Sequence, residues 1–382
     1  YIKRCLQIAK NGIGFSRPNP SVGAVIVHNN IIIGEGFTSP YGRNHAEVNA
    51  IESVKDKSVL KESTIYVTLE PCSHFGKTPP CADLIVKHQF KKVVIGCVDS
   101  NSLVAGKGIT RLKNADIEVV VGVLEDECRK HHKRFFTNQE KKRPYIILKW
   151  AETKDGFVAP ENHYEEDVLT EKKNKDEVIS NVNERLPQHK RMLRNDARPV
   201  WISNKYSQQL VHKLRSKEHA ILVGTNTVIT DNPKLNVRSW SGQNPIRVVL
   251  DRNLRIPENL NVFDGSVTTI VICDERSLKS KEDREFSQSE RNRELVFESI
   301  NFSNNIAFQI CEVLQKHNIQ SVIIEGGSQT LQTFIDENLW DEANVFVGDV
   351  AFKKGICAPV FRKPIKEQIN IKTDVLNIYR ND

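Results

Sequence analysis

Apolar and polar positions alternate in two separate series along the chain. From residue 22, VGAVIVHNNIIIGEGF places two apolar runs on either side of Asn29 and Asn30, the arrangement of a hairpin. HAEVNAIESV then reads as a helix, TIYVTLE as a strand, PPCADLIVKHQF as a helix and KKVVIGCVD as a strand. After GITRLKNAD comes IEVVVGVL, another strand. Strands this apolar, with helices between them, require a sheet covered on both faces, so an α/β unit is expected. The polar helix EDECRKHHKRFF and the charged TNQEKKR close this series and put a boundary near residue 140.

The second series starts at PYIILKWAE and runs through HAILVGTNTVI, IRVVLD, TTIVIC, ELVF and SVIIEGG to EANVFVGD. It too is α/β with its own core, so residues 1–140 and 141–382 are expected as two domains. Two stretches break the pattern: residues 161–198, rich in Glu, Lys and Asn, and residues 275–293, rich in charge and Ser. Both are expected as long surface loops or poorly ordered insertions. No internal repeat is visible.

Composition narrows the class. A length of 382 residues exceeds a single ordinary core, which suits the two-domain division. No run approaches the roughly 18 to 20 apolar residues that span a bilayer, and YIKRCLQIAKNG lacks the apolar stretch of a secretory signal. A cytoplasmic protein without membrane contact is expected, and since the first residue is Tyr, a few residues are expected ahead of it. The formal charge of +7 comes without a long basic stripe. RKHHKR and KKR, between residues 129 and 143, read as solvated helix and linker surface, with an anionic partner as the competing reading, and no nucleic-acid partner is expected because the first domain offers few aromatics to stack on bases. Eight cysteines without an even framework of spacings suit free thiols in a reducing compartment.

Only Cys72 and Cys81 sit in a motif, PCSHFGKTPPC, with HAE upstream at His45 to Glu47. A catalytic zinc keeps one of four positions for water, so three protein ligands are needed, and His45, Cys72 and Cys81 supply them. Cys81 falls in the first turn of a helix that Thr78 can cap, with Pro79 and Pro80 presetting the backbone, and the helix end favours a thiolate there. Zinc lowers the pKa of bound water from about 15.7 to about 7. Replacing an amine still needs a group that takes a proton from water and hands it to nitrogen. Glu47, two residues after a zinc histidine and followed downstream by Pro-Cys, matches the zinc deaminase pattern, in which it is not a ligand. Positions i and i+2 do not share a helix face, so the metal must lie off the helix end. A structural zinc site, or no metal at all, is the competing reading. The eight residues between the cysteines also depart from the usual two.

RPNPSVGAVIV, GEGF, YGRNHAEVNAI, VTLEPCSHFGKTPPC and VVIGCVDSN closely resemble the deaminase half of the bifunctional riboflavin biosynthesis deaminase-reductase family, whose loop between the zinc cysteines has this length. The resemblance implies a cytidine deaminase-like α/β/α domain. It implies a diaminopyrimidinone substrate that carries a ribosylamino 5′-phosphate and loses an amino group at C2. In that frame SHFGKTPP is a substrate wall, with Lys77 suited to the phosphate, His74 to ribose or phosphate oxygens, and Asn19 to the pyrimidine edge. On their own, Lys77 also reads as an exposed loop lysine and His74 as a brace for the loop or a bystander to the zinc.

In the second series, VIIEGGSQTL gives a strand, Gly326 and Gly327, then a helix opening at Ser328, a place where a phosphate can approach backbone amides. The same pair is also an ordinary tight turn. ILKWAETKDGFVA, VWIS and LRSKEHAILVGTNTVITDNPKLNVR resemble the reductase half of the same family, which implies a dihydrofolate reductase-like α/β domain using NADPH to reduce ribosyl to ribityl. Carried across, Ala151, Trp201, Thr227, Asp231 and the turn from Gly327 to Ser328 line the cofactor site. Arg215, Leu235, Arg238 and Glu325 face the substrate, the arginines being suited to its phosphate; surface ion pairs are the competing reading for both. Asp231 and Glu325 are the candidate proton donors. The chain reads TKDG where the family has Ser-Leu-Asp-Gly, and Pro199 stands where a substrate-touching Ser is usual, beyond a much longer connection. The resemblance also implies a homodimer. A nucleic-acid deaminase and a zinc-stabilised binding protein are the rival functions.

Overall fold

Asn29 and Asn30 take φ of 47° and 63°, the paired left-handed conformation that a two-residue hairpin turn demands and asparagine tolerates. They join the first two strands of the computed structural model, which describes residues 1–100, 105–161, 201–282 and 294–381. In chain order the first unit holds α1 (Ile2–Ala9), β1 (Gly23–His28), β2 (Ile31–Phe37), α2 (Ala46–Ser53), β3 (Thr64–Leu69), α3 (Cys81–Lys87), β4 (Lys92–Cys97), α4 (Lys107–Lys113) and β5 (Glu118–Val121). The strands form one sheet in the order β2-β1-β3-β4-β5, antiparallel across β1 and parallel from β3 onward. Gly36 on β2 lets α2 press against the sheet. A Cβ there would stand 2.5 Å from the Ala46 carbonyl oxygen, so the strand fixes the depth of the helix that follows His45.

The second unit holds β6 (Tyr145–Thr153), β7 (Phe157–Pro160), α7 (Lys205–Lys217), β8 (Ala220–Gly224), α8 (Thr225–Asp231), β9 (Ile246–Leu250), β10 (Thr269–Asp274), α9 (Glu275–Glu282) and β11 (Leu295–Ile300). It continues with α10 (Ile306–Lys316), β12 (Ser321–Glu325), α11 (Ser328–Asp336), β13 (Glu342–Gly348), β14 (Gly355–Cys357), β15 (Glu367–Ile371) and β16 (Asp374–Arg380). Nine strands make one sheet, β11-β10-β9-β8-β12-β6-β13-β16-β15, and β7 pairs with β14 apart from it. Fully buried β12 sits in the middle, parallel to β8 and β6, as its unbroken apolar run requires. Among the described residues no helix is long and apolar enough to cross a membrane.

Three expectations change. EDECRKHHKRFF is not one helix but α5 (Glu125–His131) and α6 (Lys133–Lys141), and TNQEKKR supplies the last turns of α6 rather than a linker. The stretch from residue 275 begins as α9, while residues 283–293 lie outside the described residues, as do residues 162–200 with Pro199. The basic run is not simply solvated, because it meets acids on the second unit. Lys133 Nζ lies 2.7 Å from Glu342, and Arg134 grips Glu218 with Nε at 2.7 Å. Arg143, already within the second unit, holds Asp341 with both terminal guanidinium nitrogens, at 2.6 and 2.8 Å. From the first unit, Arg17 donates to the carbonyl oxygens of Glu218 and Asn244. The contacts of Arg17, Lys133 and Arg134 fasten the two units together.

Glu218 is fully buried. Burial pushes its carboxyl up, but the charge and hydrogen bonds of Arg134 outweigh burial and hold it below the ordinary 4.5. Breaking a buried pair from one side costs about 3–5 kcal/mol. Glu218→Gln should therefore lower the thermal midpoint markedly at neutral pH, and Arg134→Met combined with Glu218→Leu should lower it far less. The carboxylate's contribution is fully present above 4.5 and is lost as pH falls below that value, so the gap between Glu218→Gln and the parent should narrow in acid. Thermal melts across pH check both.

Candidate functional site

His45 caps α2 in extended conformation, φ −74° and ψ 168°, so its ring leaves the helix end while Glu47 stays in the first turn. That resolves how positions two apart can serve one centre. The ligand atoms of His45, Cys72 and Cys81 all lie within 4.8 Å of one another, with His45 Nδ1 at 3.6 Å from Cys72 Sγ and 3.4 Å from Cys81 Sγ. Zinc bound to sulfur at about 2.3 Å and nitrogen at about 2.0 Å in a tetrahedron gives an S to N edge of about 3.5 Å, so the donor set fits the metal.

The loop between the cysteines closes on itself at the start of α3. The amide of Ala82 donates to the Cys72 carbonyl at 3.0 Å, and the amide of Cys81 donates to Cys72 Sγ at 3.4 Å. The helix amide expected to favour a thiolate at Cys81 thus serves Cys72. Hydrogen bonds from the Cys81 thiol and His45 hold Cys72 well below an ordinary thiol, and Cys81 is raised in turn. Pro80, not Thr78, occupies the cap position, and no side chain caps this helix. Glu70 accepts the amides of Asp99, Gly106 and Ile109, which ties the loop after β4 to the end of β3.

Glu47 is only 4% exposed. Burial pushes its carboxyl up to about 7, the charge of Cys72 adding to it, which suits a group that both takes and gives a proton. It lines a cleft of about 430 Å³ that Asn19, His45, Cys72, His74 and Lys77 also border. His74 and Lys77 stand exposed on the outer loop, and Lys77 Nζ sits 4.0 Å from the centroid of the Tyr41 ring.

In the second unit Gly326 and Gly327 take φ of 94° and 71° between β12 and α11. A Cβ on Gly326 would lie 3.0 Å from Thr227 Cγ2, so Thr227, the glycine turn and Ser328 come together. Ala151 is half-buried on β6, and Asp231 ends α8 exposed. Trp201 is 59% exposed, beside the undescribed stretch. The expected substrate residues cluster separately. Arg215 Nε lies 3.2 Å from Glu325, and Lys149 Nζ lies 2.9 Å from its other oxygen. The Asn236 carbonyl, next to buried Leu235, accepts from Arg215 at 3.3 Å and lies 3.0 Å from His212 Nδ1. Arg238 is exposed, its guanidinium 3.3 Å from Asn236 Oδ1.

Residues 144–352 match the family model of the RibD C-terminal domain, and residues 1–97 match the cytidine and deoxycytidylate deaminase zinc-binding region. The riboflavin biosynthesis protein RibD of Aquifex aeolicus is 36% identical over 93% of this chain and 88% of its own length. The chain belongs to the RibD family. A second RibD, from Synechocystis, is 38% identical over 74% of this chain and 68% of its own. A solved diaminohydroxyphosphoribosylaminopyrimidine deaminase/5-amino-6-(5-phosphoribosylamino)uracil reductase from Thermotoga maritima is similar throughout, at TM-score 0.78 and 32% identity, covering 100% of this chain and 97% of that one. The α/β reading holds, a cytidine deaminase-like unit followed by the α/β reductase unit of the RibD family.

Within the RibD frame one expectation is corrected. Burial pushes the Glu325 carboxyl up, but Arg215 and Lys149 overcome it and hold the group at about 2. Glu325 is therefore an ionised anchor for two cations and not a proton donor. Lys149 and His212 were not anticipated. Lys149 had a signal, because it interrupts an apolar strand two residues from Ala151 and so shares its face. His212 had none: burial, then Arg215 and Arg238, push it down to about 4, an effect only the fold creates. Tyr41 and Glu70 were likewise missed.

Purified protein should carry stoichiometric zinc by elemental analysis. Cys72→Ala and Cys81→Ala should each lose it, while Glu47→Gln should retain it because that carboxylate is not among the three donors.

Proposed function

We infer that residues 1–140 hydrolyse the C2 amino group from a 2,5-diamino-6-ribosylamino-pyrimidinone 5′-phosphate, and that residues 141–382 then reduce the ribosyl group to ribityl with NADPH. The chain is a bifunctional enzyme of riboflavin biosynthesis. The observation that carries the residue assignment is a zinc-compatible triad beside buried Glu47 in a cleft with room for one heterocycle. His45, Cys72 and Cys81 are the proposed ligands, and zinc, when bound, supplies the Lewis acidity that makes water a nucleophile near neutral pH.

Glu47 takes a proton from the attacking water and delivers it to the departing nitrogen. C2 gains oxygen, its bond to nitrogen breaks, and ammonia leaves. Asn19 turns its carboxamide to the pyrimidine edge, with a donor and an acceptor to offer. Lys77 and His74 take the phosphate, and the closed loop between the cysteines keeps bulk water from the ring.

In the second unit Thr227 and the turn from Gly326 through Ser328 hold the cofactor phosphates, with Ala151, Trp201 and Asp231 lining the rest. NADPH, when bound, supplies the reducing equivalent. Arg215 and Arg238 hold the substrate phosphate, Leu235 packs beneath them, and Glu325 keeps Arg215 and Lys149 in place. A cytoplasmic location suits the cysteines, none of which forms a disulfide. The homodimer implied by the resemblance belongs to the proposal too, and light scattering should give twice the chain mass.

Glu47→Gln should cut ammonia release by about 10²–10⁴-fold while leaving NADPH oxidation with the deaminated intermediate intact. Lys77→Ala should raise the KM for deamination without changing zinc content. Coupled assays of the two half-reactions check both, and full affinity in Lys77→Ala removes the phosphate role.

A further inference from the structure

The deamination cleft is not walled by the first unit alone. Gln315 at the end of α10, Asn318, and Gln320 just ahead of β12 all border it. Asn138 and Gln139 of α6 and Asn19 of the first unit border it as well. None of these six side-chain amides has a hydrogen-bond partner among the described residues. Each offers donors and an acceptor without charge. Such groups suit ring edges and hydroxyls, whereas Arg43 and Lys77 give the cleft its cations.

Gln320 is the best placed of the three residues from the second unit. It is half-buried and also lines a small adjoining cavity of about 50 Å³, together with Asn19, Pro20 and Phe135. Its backbone is fixed on both sides: its carbonyl accepts from the Tyr145 amide at 2.8 Å, and its amide donates to His219 Nδ1 at 3.3 Å. The Asn19 loop is tied to the same unit by Arg17, through the carbonyls of Glu218 and Asn244. The two carboxamides are thus held near each other by backbone anchors and not by chance packing. Downstream of Gln320 runs β12, whose far end carries Glu325 and the Gly326 turn, roughly 16 Å away along five strand residues.

We propose that Gln320 is a substrate-binding residue of the deaminase site, donated by the reductase unit, with its carboxamide on the uncharged polar edge of the substrate beside Asn19. One buried central strand then carries a substrate contact for each half-reaction, one at either end. The deaminase cleft is complete only when the second unit is docked, which gives a physical reason for the two activities to share a chain. The proposal rests on the deaminase reading above.

The test uses the full chain with Gln320→Ala and Gln320→Met, the latter keeping the length of the side chain but not its hydrogen bonds. Ammonia release from the phosphorylated diaminopyrimidinone is measured alongside zinc content and NADPH oxidation with the separately prepared deaminated intermediate. Both variants should raise the deamination KM about tenfold, the worth of a hydrogen bond or two, with kcat, zinc and the reductase KM unchanged. Unchanged deamination in both variants would overturn the proposal. So would a normal Gln320→Met beside an impaired Gln320→Ala, which marks packing, or a parallel fall in the reductase, which marks a structural role. Absence of ammonia release from the parent enzyme would instead refute the deaminase reading itself.

Discussion

Two backbone amides at the start of α3 hold the first site together. By binding the carbonyl and sulfur of Cys72, Ala82 and Cys81 bring the ends of an eight-residue excursion back to one point. With its ends fixed, the loop between can be long without loosening the metal ligands, and it becomes a wall carrying His74 and Lys77. A shorter link would serve zinc equally well but would leave the cleft open. Depth is fixed independently, by Gly36 allowing α2 to rest on β2 so that His45 and Glu47 enter from the other side.

The second constraint is the joint between units. Arg17, Lys133 and Arg134 spend their charge on Glu218, Glu342 and neighbouring carbonyls, and the pair at Glu218 is buried. Such pairs specify one docking geometry more than they add stability, since a mismatched arrangement would strand a buried charge. That geometry puts the start of β12 at the deamination cleft. The same strand ends at Glu325, where Lys149 and Arg215 pair with one carboxylate and Arg238 feels its charge from farther off, which leaves net positive charge for an anion.

Local patterns in the sequence carried the local structure. The Asn-Asn turn, the paired glycines before Ser328, and the His45, Cys72 and Cys81 set were legible because each depends on a few adjacent residues or on a fixed chemical need. What stayed hidden is what the tertiary fold decides. Thr78 is a good cap by type, yet the prolines start the helix at Cys81 and leave it outside. RKHHKR has the composition of a wet surface, and only the arrival of Glu218 and Glu342 from some 80 and 210 residues away turns it into a joint. Glu325 reads as a free acid until Lys149 and Arg215 are seen on either side. Gln320 carries no motif at all.

The central claim is that two thiolates and one imidazole hold zinc with a position left open beside Glu47. X-ray absorption at the zinc edge of the purified enzyme tests it most directly. The expected shell is two sulfurs at about 2.3 Å and two nitrogen or oxygen atoms at about 2.0–2.1 Å, one of them exchangeable. A shell of four sulfurs, or one of oxygens only, would contradict it.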